Sequence, residues 1–408
     1  MKNEAIYKGN FGIERETLRV DQNCRLSQTP HPFEENGEIT RDFCENQIEL
    51  VTPVCRSIEE VMSELERLDG IVSERLAADG ESLWLYSNPP HFESEDDIPI
   101  ADFRGEHSGK RVYRNMLERR YGKRLMLFSG IHFNLSFDDE YLWQLCGGED
   151  FEQFRNGFYL RLYKQLSRHS WLPLLLTAAS PAYDLSLVSD GARGAAVGKY
   201  ASIRNSEKGY WNDFVPTLCF DSISAFVESI QAYVDSGRLY SASELYLPIR
   251  LKPKGVNELA SFKNGVSHVE LRMFDLDPLE PLGVNADDLR FAHLLTIYLS
   301  EQPDFEYTPE LQQRAVEAHR NAALYDLAGV KVDGVPILRR AEQILNSMSE
   351  RFAGRAEALE VIRYEKAKLK DRLCERITAE DIYGTEGGNN VRAAGVFSCR
   401  TGGYKGTA

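Results

Sequence analysis

The chain has 408 residues, a net charge of −15 at pH 7 and a hydrophobic content of 42%. This composition is that of a folded globular protein and argues against a disordered or fibrous chain. The acidic balance argues against a nucleic-acid partner, whose phosphates need clustered lysine and arginine.

Two further features indicate where the protein works. The longest apolar run covers residues 171–179, whereas a membrane span needs about 20 residues, so no membrane partner is expected. The N-terminal residues contain no apolar signal-peptide core, and the seven cysteines form no C-x-x-C pair. We therefore expect a cytoplasmic protein with reduced thiols.

The first two predicted strands are acidic. In the strand over 11–20, Glu14 and Glu16 point to one side, and Arg15 points away from them. In the segment 42–51, Glu45, Gln47 and Glu49 share a face by the same alternation, with apolar residues opposite. The sequence therefore predicts two acidic strand faces near the N-terminus.

A helix is predicted to follow directly. Ser57 and Glu60 have the spacing of a capping box, and apolar residues then recur at helical period up to Leu76. Helical spacing also predicts helices over 150–169, 310–327 and 336–378. The segment 384–408 contains seven glycines and little periodicity, which favours a flexible tail over a lid on a phosphate site.

Three more predicted strands carry unusual polar faces. These are 131–137, with His132 and Asn134; 245–252, with Tyr246, Arg250 and Lys252; and 269–273, with Glu270 and Arg272. A solvent-exposed antiparallel face is the simplest alternative, but it would carry a looser mixture of polar residues. We interpret the strands as a sheet with one face on helices and one face lining a polar site.

The carboxylates on these strands favour a metal site. Parallel carboxylates repel one another, and burial increases the repulsion unless a cation lies between them. Hard divalent ions take several oxygen ligands and bridge to substrate phosphates. A single acidic strand would favour a solvent-exposed sheet face. Two acidic strands, together with His132 and Glu270, favour a metal-binding site.

Basic residues lie in or near the same segments. They are Arg15, Arg19, Arg114, Arg204, Arg250, Lys252 and Arg272. Arginine recognises carboxylates and phosphates through paired donors. Carboxylates, arginines and no covalent nucleophile together fit metal-assisted phosphoryl transfer. The sequence has no P-loop and no G-x-G-x-x-G after a strand pattern, so a nucleotide would bind on another scaffold.

A series of short segments along the chain carries a family resemblance. In chain order they are GIERETLRV at 12–20, DF at 42–43, ELVTP at 49–53, LWLYSNPP at 83–90, YR at 113–114, YG at 121–122, SGIHFN at 129–134, ASPA at 179–182, SIRN at 202–205 with GY at 209–210, ELYLPIR at 244–250, and VELR at 269–272 with DLDP at 275–278. Together they resemble the bacterial glutamate–cysteine ligases and the ligase module of bifunctional glutathione synthases. Each segment is weakly specific, but their collinear order across 9–285 is a strong signal.

The resemblance implies an α+β, glutamine-synthetase-like fold, in which a curved antiparallel sheet forms a funnel with helices on its outer face. It implies one catalytic ligase domain over 1–383, whose part 286–383 is helical and carries no matching segment. The implied activity is ATP-dependent ligation of L-glutamate to L-cysteine through γ-glutamyl phosphate, the first step of glutathione synthesis, with Mg²⁺ or, because of the histidine, Mn²⁺ as cofactor.

The resemblance also implies residue roles. The metal ligands would be Glu14, Glu16, Asp42, Glu49, His132 and Glu270. The catalytic residues would be Arg272, Glu49 and Glu270, and Arg272 and Lys252 would bind the nucleotide. The amino-acid substrates would be bound by Phe43, Tyr113, Arg114, Arg204, Tyr210 and Tyr246.

Two positions depart from the family pattern. Met126 stands where many relatives carry glutamine, six residues before the motif histidine, and His268 stands where an aromatic residue is common. Met126 leaves open a ligase with another amine acceptor. A catalytically inactive relative that binds metal or amino acid is a second alternative, against which the complete acidic set and Arg272 count.

Overall fold

The computed structural model describes residues 4–34, 36–103, 108–148 and 150–384. The predicted tail at 384–408 lies outside these residues apart from Gly384. In chain order the strands and helices are β1 (Gly9–Val20), β2 (Ile39–Thr40), β3 (Gln47–Val51), α1 (Ile58–Ala78), β4 (Ser82–Trp84), α2 (Ser108–Tyr121), β5 (Ile131–Phe137), α3 (Asp139–Cys146), α4 (Phe151–His169), α5 (Trp171–Thr177), β6 (Ala182–Asp184), β7 (Ala195–Val197), α6 (Ile223–Asp235), β8 (Ile249–Pro253), β9 (Val266–Phe274), α7 (Ala286–Ser300), α8 (Pro309–Ala322), β10 (Lys331–Val332), β11 (Val335–Pro336), α9 (Ile337–Arg351), α10 (Ala356–Lys368) and α11 (Ala379–Tyr383).

The central feature is a seven-stranded antiparallel sheet. Its strand order is β2-β3-β1-β5-β9-β8, with β4 pairing to β1. The sheet is open, since β2 and β8 form its two edges. Two small antiparallel pairs, β6–β7 and β10–β11, lie apart from it. The predicted α+β architecture with an antiparallel sheet is confirmed.

The two faces of the sheet differ as the alternation predicts. Ile13, Phe133 and Leu271 point to one face and are 1%, 0% and 2% exposed. Helices α1, α4 and α5 pack on this apolar side, against β1, β8 and β9. The opposite face carries the acidic and basic side chains, so the helices lie behind the sheet and leave that face for a polar site.

Helix α1 shows how the sequence anchors the sheet. The Ser57 side chain accepts a hydrogen bond from the Glu60 N–H, whereas the Glu60 carboxylate accepts from the Arg56 N–H rather than from Ser57. Arg15 does point away from the acidic face, because its guanidinium pairs with Asp69 on α1 at 2.5 Å. The helix therefore binds β1 through apolar packing and one buried ion pair.

Truncation of the buried face of α1 tests this packing. Leu65 is 0% exposed, so Leu65→Ala should lower the free energy of unfolding by about 2–5 kcal/mol. The neighbouring Glu66 is exposed, and Glu66→Ala should change it by no more than about 0.5 kcal/mol. Chemical denaturation of both variants measures the difference, and equal values would contradict the assigned packing.

Two strand predictions need correction. The strand predicted over 245–252 begins only at Ile249, because Pro248 has no N–H to donate to a ladder and 242–244 form a 3₁₀ turn. Glu45 does not share a face with Glu49. The Gln47 side-chain carbonyl accepts from the Phe43 and Cys44 N–H groups and closes a turn there, so β3 begins at Gln47.

Two helix predictions also need correction. The helix predicted over 310–327 ends at Ala322, because the Tyr325 N–H donates to the Lys199 carbonyl at 2.8 Å instead of continuing the helix. The helix predicted over 336–378 is two helices, α9 and α10, interrupted by a turn that contains Gly354, and the second ends at Lys368. Glycine disfavours the helix interior, which accounts for the position of the break.

None of the helices in the described ranges has both the length and the apolar character needed to cross a membrane. Among the described cysteines, Cys44, Cys55, Cys146 and Cys374 are buried. Burial raises the pKa of the Cys44 thiol to about 12 and that of Cys374 to about 11, so both resist ionisation at neutral pH.

Candidate active site

The centre of the polar face is a cluster from three adjacent strands. Glu14 on β1 lies opposite His132 on β5, and Asn134 on β5 lies opposite Glu270 on β9. His132 Nδ1 is 3.3 Å from Glu14 Oε2 and 3.4 Å from Glu270 Oε1. One possible ligand atom of each of these three residues lies within 4.8 Å of the other two. The register therefore brings together residues that are far apart in the sequence.

A second acidic group lies beside the first. Glu16 is the direct cross-strand partner of Glu49, and like charges in such a pair repel each other. Burial, followed by the nearby Asp42, raises the pKa of both carboxyls, and that of Glu49 is raised well above its usual value. Glu14 adds further negative charge next to Glu49. Asp42 thus lies close enough to both predicted ligands, Glu16 and Glu49, to oppose their ionisation.

Basic side chains neutralise one end of the cluster. Burial raises the pKa of Glu270, but the charges of Arg272 and Lys252 outweigh it and hold the pKa well below its usual value. Arg272 Nη1 is 2.5 Å and Lys252 Nζ 2.8 Å from the Glu270 carboxylate. Burial and Glu270 likewise push the pKa of Glu14 upward, but the hydrogen bond to His132 and the charge of Lys252 act against them, and the pKa lies below its usual value. Both carboxylates are therefore ionised at neutral pH.

Arg204 approaches the cluster from the opposite side. Its Nη2 is 3.2 Å from His132 Nε2, and its Nη1 donates to the Arg272 carbonyl at 2.7 Å. Because a guanidinium only donates, His132 Nε2 accepts this bond and Nδ1 faces Glu14 and Glu270. A Cβ at Gly130 would lie 2.4 Å from the Arg204 guanidinium carbon, so this close approach requires glycine.

The remaining predicted substrate residues form an aromatic wall, consisting of Phe43, Tyr113, Tyr210 and Tyr246. The rings of Tyr210 and Tyr246 are 4.5 Å apart, and all four residues belong to one hydrophobic cluster beside the polar face. Arg114 pairs with Asp42 at 2.8 Å and lies over the Tyr113 ring. The wall is thus connected to the acidic cluster through Asp42.

A cavity opens between the wall and the basic side chains. Its lining includes Arg204, Tyr210, Tyr246 and Arg272, which the sequence predicted, together with Asn205, Trp211, Leu247, Pro248 and His319, which it did not. His319 lies on α8, within a helical pattern that gave no sign of a site. Burial lowers the pKa of His319 to about 3, so it is neutral at pH 7.

Two buried residues behind the site were also not assigned by sequence. Asp275 accepts hydrogen bonds from the Ser180 hydroxyl at 2.7 Å and the Ser202 hydroxyl at 2.8 Å, and it holds the loop that carries Arg204. Met126 is fully buried, and the Tyr210 hydroxyl is 3.3 Å from its sulfur. Asp275 lies in one of the segments that carry the family resemblance, and Met126 lies between two of them. The sequence alone did not indicate the contacts that either residue makes.

The donor set fits a divalent cation. Carboxylate oxygens and an imidazole nitrogen are hard or borderline ligands, and three such atoms, one each from Glu14, His132 and Glu270, converge. Burial is the largest cause of the raised pKa values of Glu16 and Glu49, and repulsion by the nearby Asp42 carboxylate adds to it. A bound cation would relieve this repulsion, and the adjacent arginines suit a transferred phosphoryl group.

Comparison with known proteins agrees with this chemistry. A family model described as glutamate-cysteine ligase matches residues 1–241 and 235–322. The glutathione biosynthesis bifunctional protein of Listeria innocua is 39% identical over 80% of this chain and 45% of its own length. The glutamate–cysteine ligase of Clostridium acetobutylicum is 31% identical over 79% of this chain and 78% of its own. This chain spans about half the length of the bifunctional relatives it matches.

Solved structures give the same result. The glutamate–cysteine ligase of Francisella tularensis, solved in complex with AMP, has a TM-score of 0.81 and 25% identity over 92% of this chain and 84% of its own. The bifunctional glutathione synthetase of Pasteurella multocida has a TM-score of 0.78 and 27% identity over 91% of this chain and 50% of its own. The chain therefore belongs to the glutamate–cysteine ligase family of ATP-dependent ligases.

Proposed function

We propose that the chain is an ATP-dependent glutamate–cysteine ligase. It joins the γ-carboxylate of L-glutamate to the amine of L-cysteine through γ-glutamyl phosphate, as the first step of glutathione biosynthesis. The observation that carries the proposal is the convergence of Glu14, His132 and Glu270 next to Arg272 in a chain of this family. We place the activity in the cytoplasm, where ATP is available and thiols stay reduced.

Activation of glutamate is the first requirement. A free carboxylate is a poor electrophile, so an amide forms at neutral pH only after the carboxylate accepts the γ-phosphoryl group of ATP. Arg272 neutralises charge on the transferred group through its paired donors. Lys252, on the other side of Glu270, binds the nucleotide phosphates. The amine of cysteine then attacks the acyl phosphate, and phosphate leaves.

Glu14, Glu16, Asp42, Glu49, His132 and Glu270 would hold the divalent cofactor. We propose Mg²⁺, because five of the six ligands are carboxylates, with Mn²⁺ as the alternative because one is an imidazole. When bound, the cation supplies charge neutralisation at the ATP phosphates. The chain itself keeps Glu270 and Glu14 ionised and ready to bind, through Arg272 and Lys252 for the first and through His132 and Lys252 for the second.

The amino-acid substrates would bind at the aromatic wall. Arg204 and Arg114 offer guanidinium donors to substrate carboxylates, and Tyr113, Tyr210 and Tyr246, with Phe43 next to them, enclose the aliphatic parts. The contact between the Tyr210 and Tyr246 rings would limit the access of water from this side of the pocket. An acyl phosphate formed there would be shielded from hydrolysis until the acceptor amine arrives.

The proposal is tested by ADP release from the purified protein with Mg²⁺, ATP and L-glutamate. A panel of amines including L-cysteine and 2-aminobutyrate serves as acceptors, and product mass is read in parallel. We expect turnover that requires glutamate, is fastest with L-cysteine and yields the mass of γ-glutamylcysteine. Reactions without glutamate and without an amine are the controls.

Other outcomes separate the alternatives. Turnover only with a different amine would support the proposed mechanism and identify that amine, instead of L-cysteine, as the acceptor. Absence of glutamate-dependent turnover with either Mg²⁺ or Mn²⁺ would contradict the proposal and favour a protein that only binds metal or amino acid.

A further inference from the structure

Behind the aromatic wall lies a fully buried carboxylate, that of Glu244, which is 0% exposed. A carboxylate is rarely buried to this extent unless ionic or hydrogen-bond donors surround it. Glu244 is separate from the carboxylate cluster on the sheet and does not line the cavity. Its partners therefore indicate what it does.

The first oxygen of Glu244 accepts from helix α2. Arg120 Nη1 donates to Oε1 at 2.5 Å, and the Tyr121 hydroxyl donates to the same oxygen at 2.7 Å. Arg120 also donates to the carbonyls of Gly237 and Arg238, at 3.0 Å and 2.9 Å. The carboxylate thus fastens the end of α2, the helix that carries Tyr113, to the loop that leads into the wall.

The second oxygen accepts from the loop itself. The backbone N–H of Tyr240 donates to Glu244 Oε2 at 2.5 Å. The Tyr240 ring stacks on Tyr113 with its centroid 6.0 Å away and the planes inclined by 22°. Through this bond Glu244 sets the position of the ring that supports Tyr113.

The Tyr246 side of the wall is held through Asn212. The Asn212 amide donates to the Glu244 carbonyl at 2.7 Å and to the Tyr121 hydroxyl at 3.2 Å, and its oxygen accepts from the Tyr246 N–H at 3.0 Å. The Tyr121 ring packs on the Tyr246 ring at 5.6 Å. The backbone and the ring of Tyr246 are therefore both connected to Glu244.

We propose that Glu244 is a positioning residue, which holds Tyr113 and Tyr246 in place and so sets the affinity of the pocket for its amino-acid substrates. The inference rests on the proposed function. Glu244 touches no substrate. Its carboxylate acts through Tyr121 and Tyr240, and Asn212 is connected to it through the Tyr121 hydroxyl and the Glu244 backbone carbonyl. The role requires an acceptor on both oxygens, because Arg120, Tyr121 and the Tyr240 N–H all donate to this carboxylate.

Glu244→Gln tests the role while keeping the shape of the side chain. Its amide nitrogen must face either the Arg120 and Tyr121 donors or the Tyr240 N–H, so one side of the network opens. We expect KM for L-glutamate or L-cysteine to rise on the order of tenfold, since small misplacements of binding groups have effects of this size or larger. KM for ATP should stay within about twofold, because the nucleotide residues are not part of this network.

Glu81→Gln is the matched control. Glu81 is also a buried carboxylate, which accepts from Arg19 at 2.6 Å and from the Ser27 and Thr29 hydroxyls at 2.6 Å, without contact to the aromatic wall. Both variants should lower the melting temperature, but only Glu244→Gln should raise an amino-acid KM. Equal KM values for the two variants would overturn the inference, because the effect would then be one of general stability.

Tyr121→Phe keeps the test decisive if Glu244→Gln does not fold. It removes one hydroxyl and leaves the ring on Tyr246, so the amino-acid KM should rise several-fold and ATP KM should not change. An unchanged amino-acid KM in Tyr121→Phe would also overturn the inference. An inactive wild-type chain would instead contradict the proposed function, so the two failures are distinguishable.

Discussion

Replacing Glu49 with glutamine is expected to lower glutamate-dependent ATP turnover by at least about a hundredfold, the scale of losing one preorganised charge at a reacting group. Glu49 is the direct cross-strand partner of Glu16, and burial, Asp42, Glu14 and Glu16 all raise its pKa. The proposed cation would explain why the side chain is held in such an unfavourable place.

The same variant should gain stability when no divalent cation is present. Without the cation, burial and the neighbouring carboxylates oppose the ionisation of Glu49, and glutamine removes this cost at nearly constant shape. The melting temperature in EDTA should therefore be higher for Glu49→Gln than for the wild type. On addition of Mg²⁺ the wild type should gain more than the variant, because a ligand stabilises the folded state that binds it more tightly.

Glu45→Gln is the control for this pair of measurements. Glu45 lies four residues before Glu49, but its carboxylate accepts from the His31 N–H at 3.2 Å and pairs with Arg41 at 3.2 Å. Its replacement should leave turnover nearly unchanged and should not raise the melting temperature in EDTA. A fully active Glu49→Gln variant would remove Glu49 from the proposed metal ligands.

The control also shows how far sequence reasoning could go. Alternation in β1 is a local property, so it correctly placed Glu14 and Glu16 on one face and Arg15 on the other. Alternation failed for Glu45, because the side chain of Gln47 closes a turn that no periodic pattern encodes. Alternation therefore predicts on which face of the sheet a residue lies within a regular strand. It fails where a side chain, rather than an adjacent strand, forms the hydrogen bonds to the backbone.

The sequence predicted that the polar strand residues share one site, but it could not predict which of them lie opposite one another in the sheet. That Asn134 lies opposite Glu270 is a matter of register between strands more than 130 residues apart. Register depends on the packing of both strands on the helices behind them, which alternation in a single strand does not specify. The resemblance to a family supplied that missing information for Glu270.

The network around Glu244 was beyond sequence reasoning for a different reason. Arg120, Asn212 and Tyr240 lie on a helix end and on loops, where no period marks which side chain faces inward. Glu244 itself begins one of the segments that carry the family resemblance, yet nothing in that segment distinguishes a buried carboxylate from an exposed one. Such positions become visible only from burial and hydrogen bonding.

The second large effect is expected at Arg272. Arg272→Ala should lower kcat by roughly 10³-fold, the scale seen when an arginine that neutralises a transferred phosphoryl group is lost. Arg155→Ala is the matched control. Arg155 is also a buried arginine held to β9, through the Val266 and Ser267 carbonyls at 3.0 Å and 2.9 Å, on the helix side of the sheet. Arg155→Ala should lower the free energy of unfolding and should change kcat by no more than a few-fold.

Two explanations of a loss at Arg272 must be separated, because this side chain is also 2.5 Å from Glu270 and holds the pKa of that carboxyl low. If Arg272 served only as the counterion of Glu270, Arg272→Lys would restore activity, since lysine supplies the same charge. If it binds the phosphoryl group through paired donors, Arg272→Lys stays slow, because an ammonium cannot form the bidentate contact. Added guanidinium should then restore part of the activity of Arg272→Ala, and full activity of either variant would exclude the proposed role.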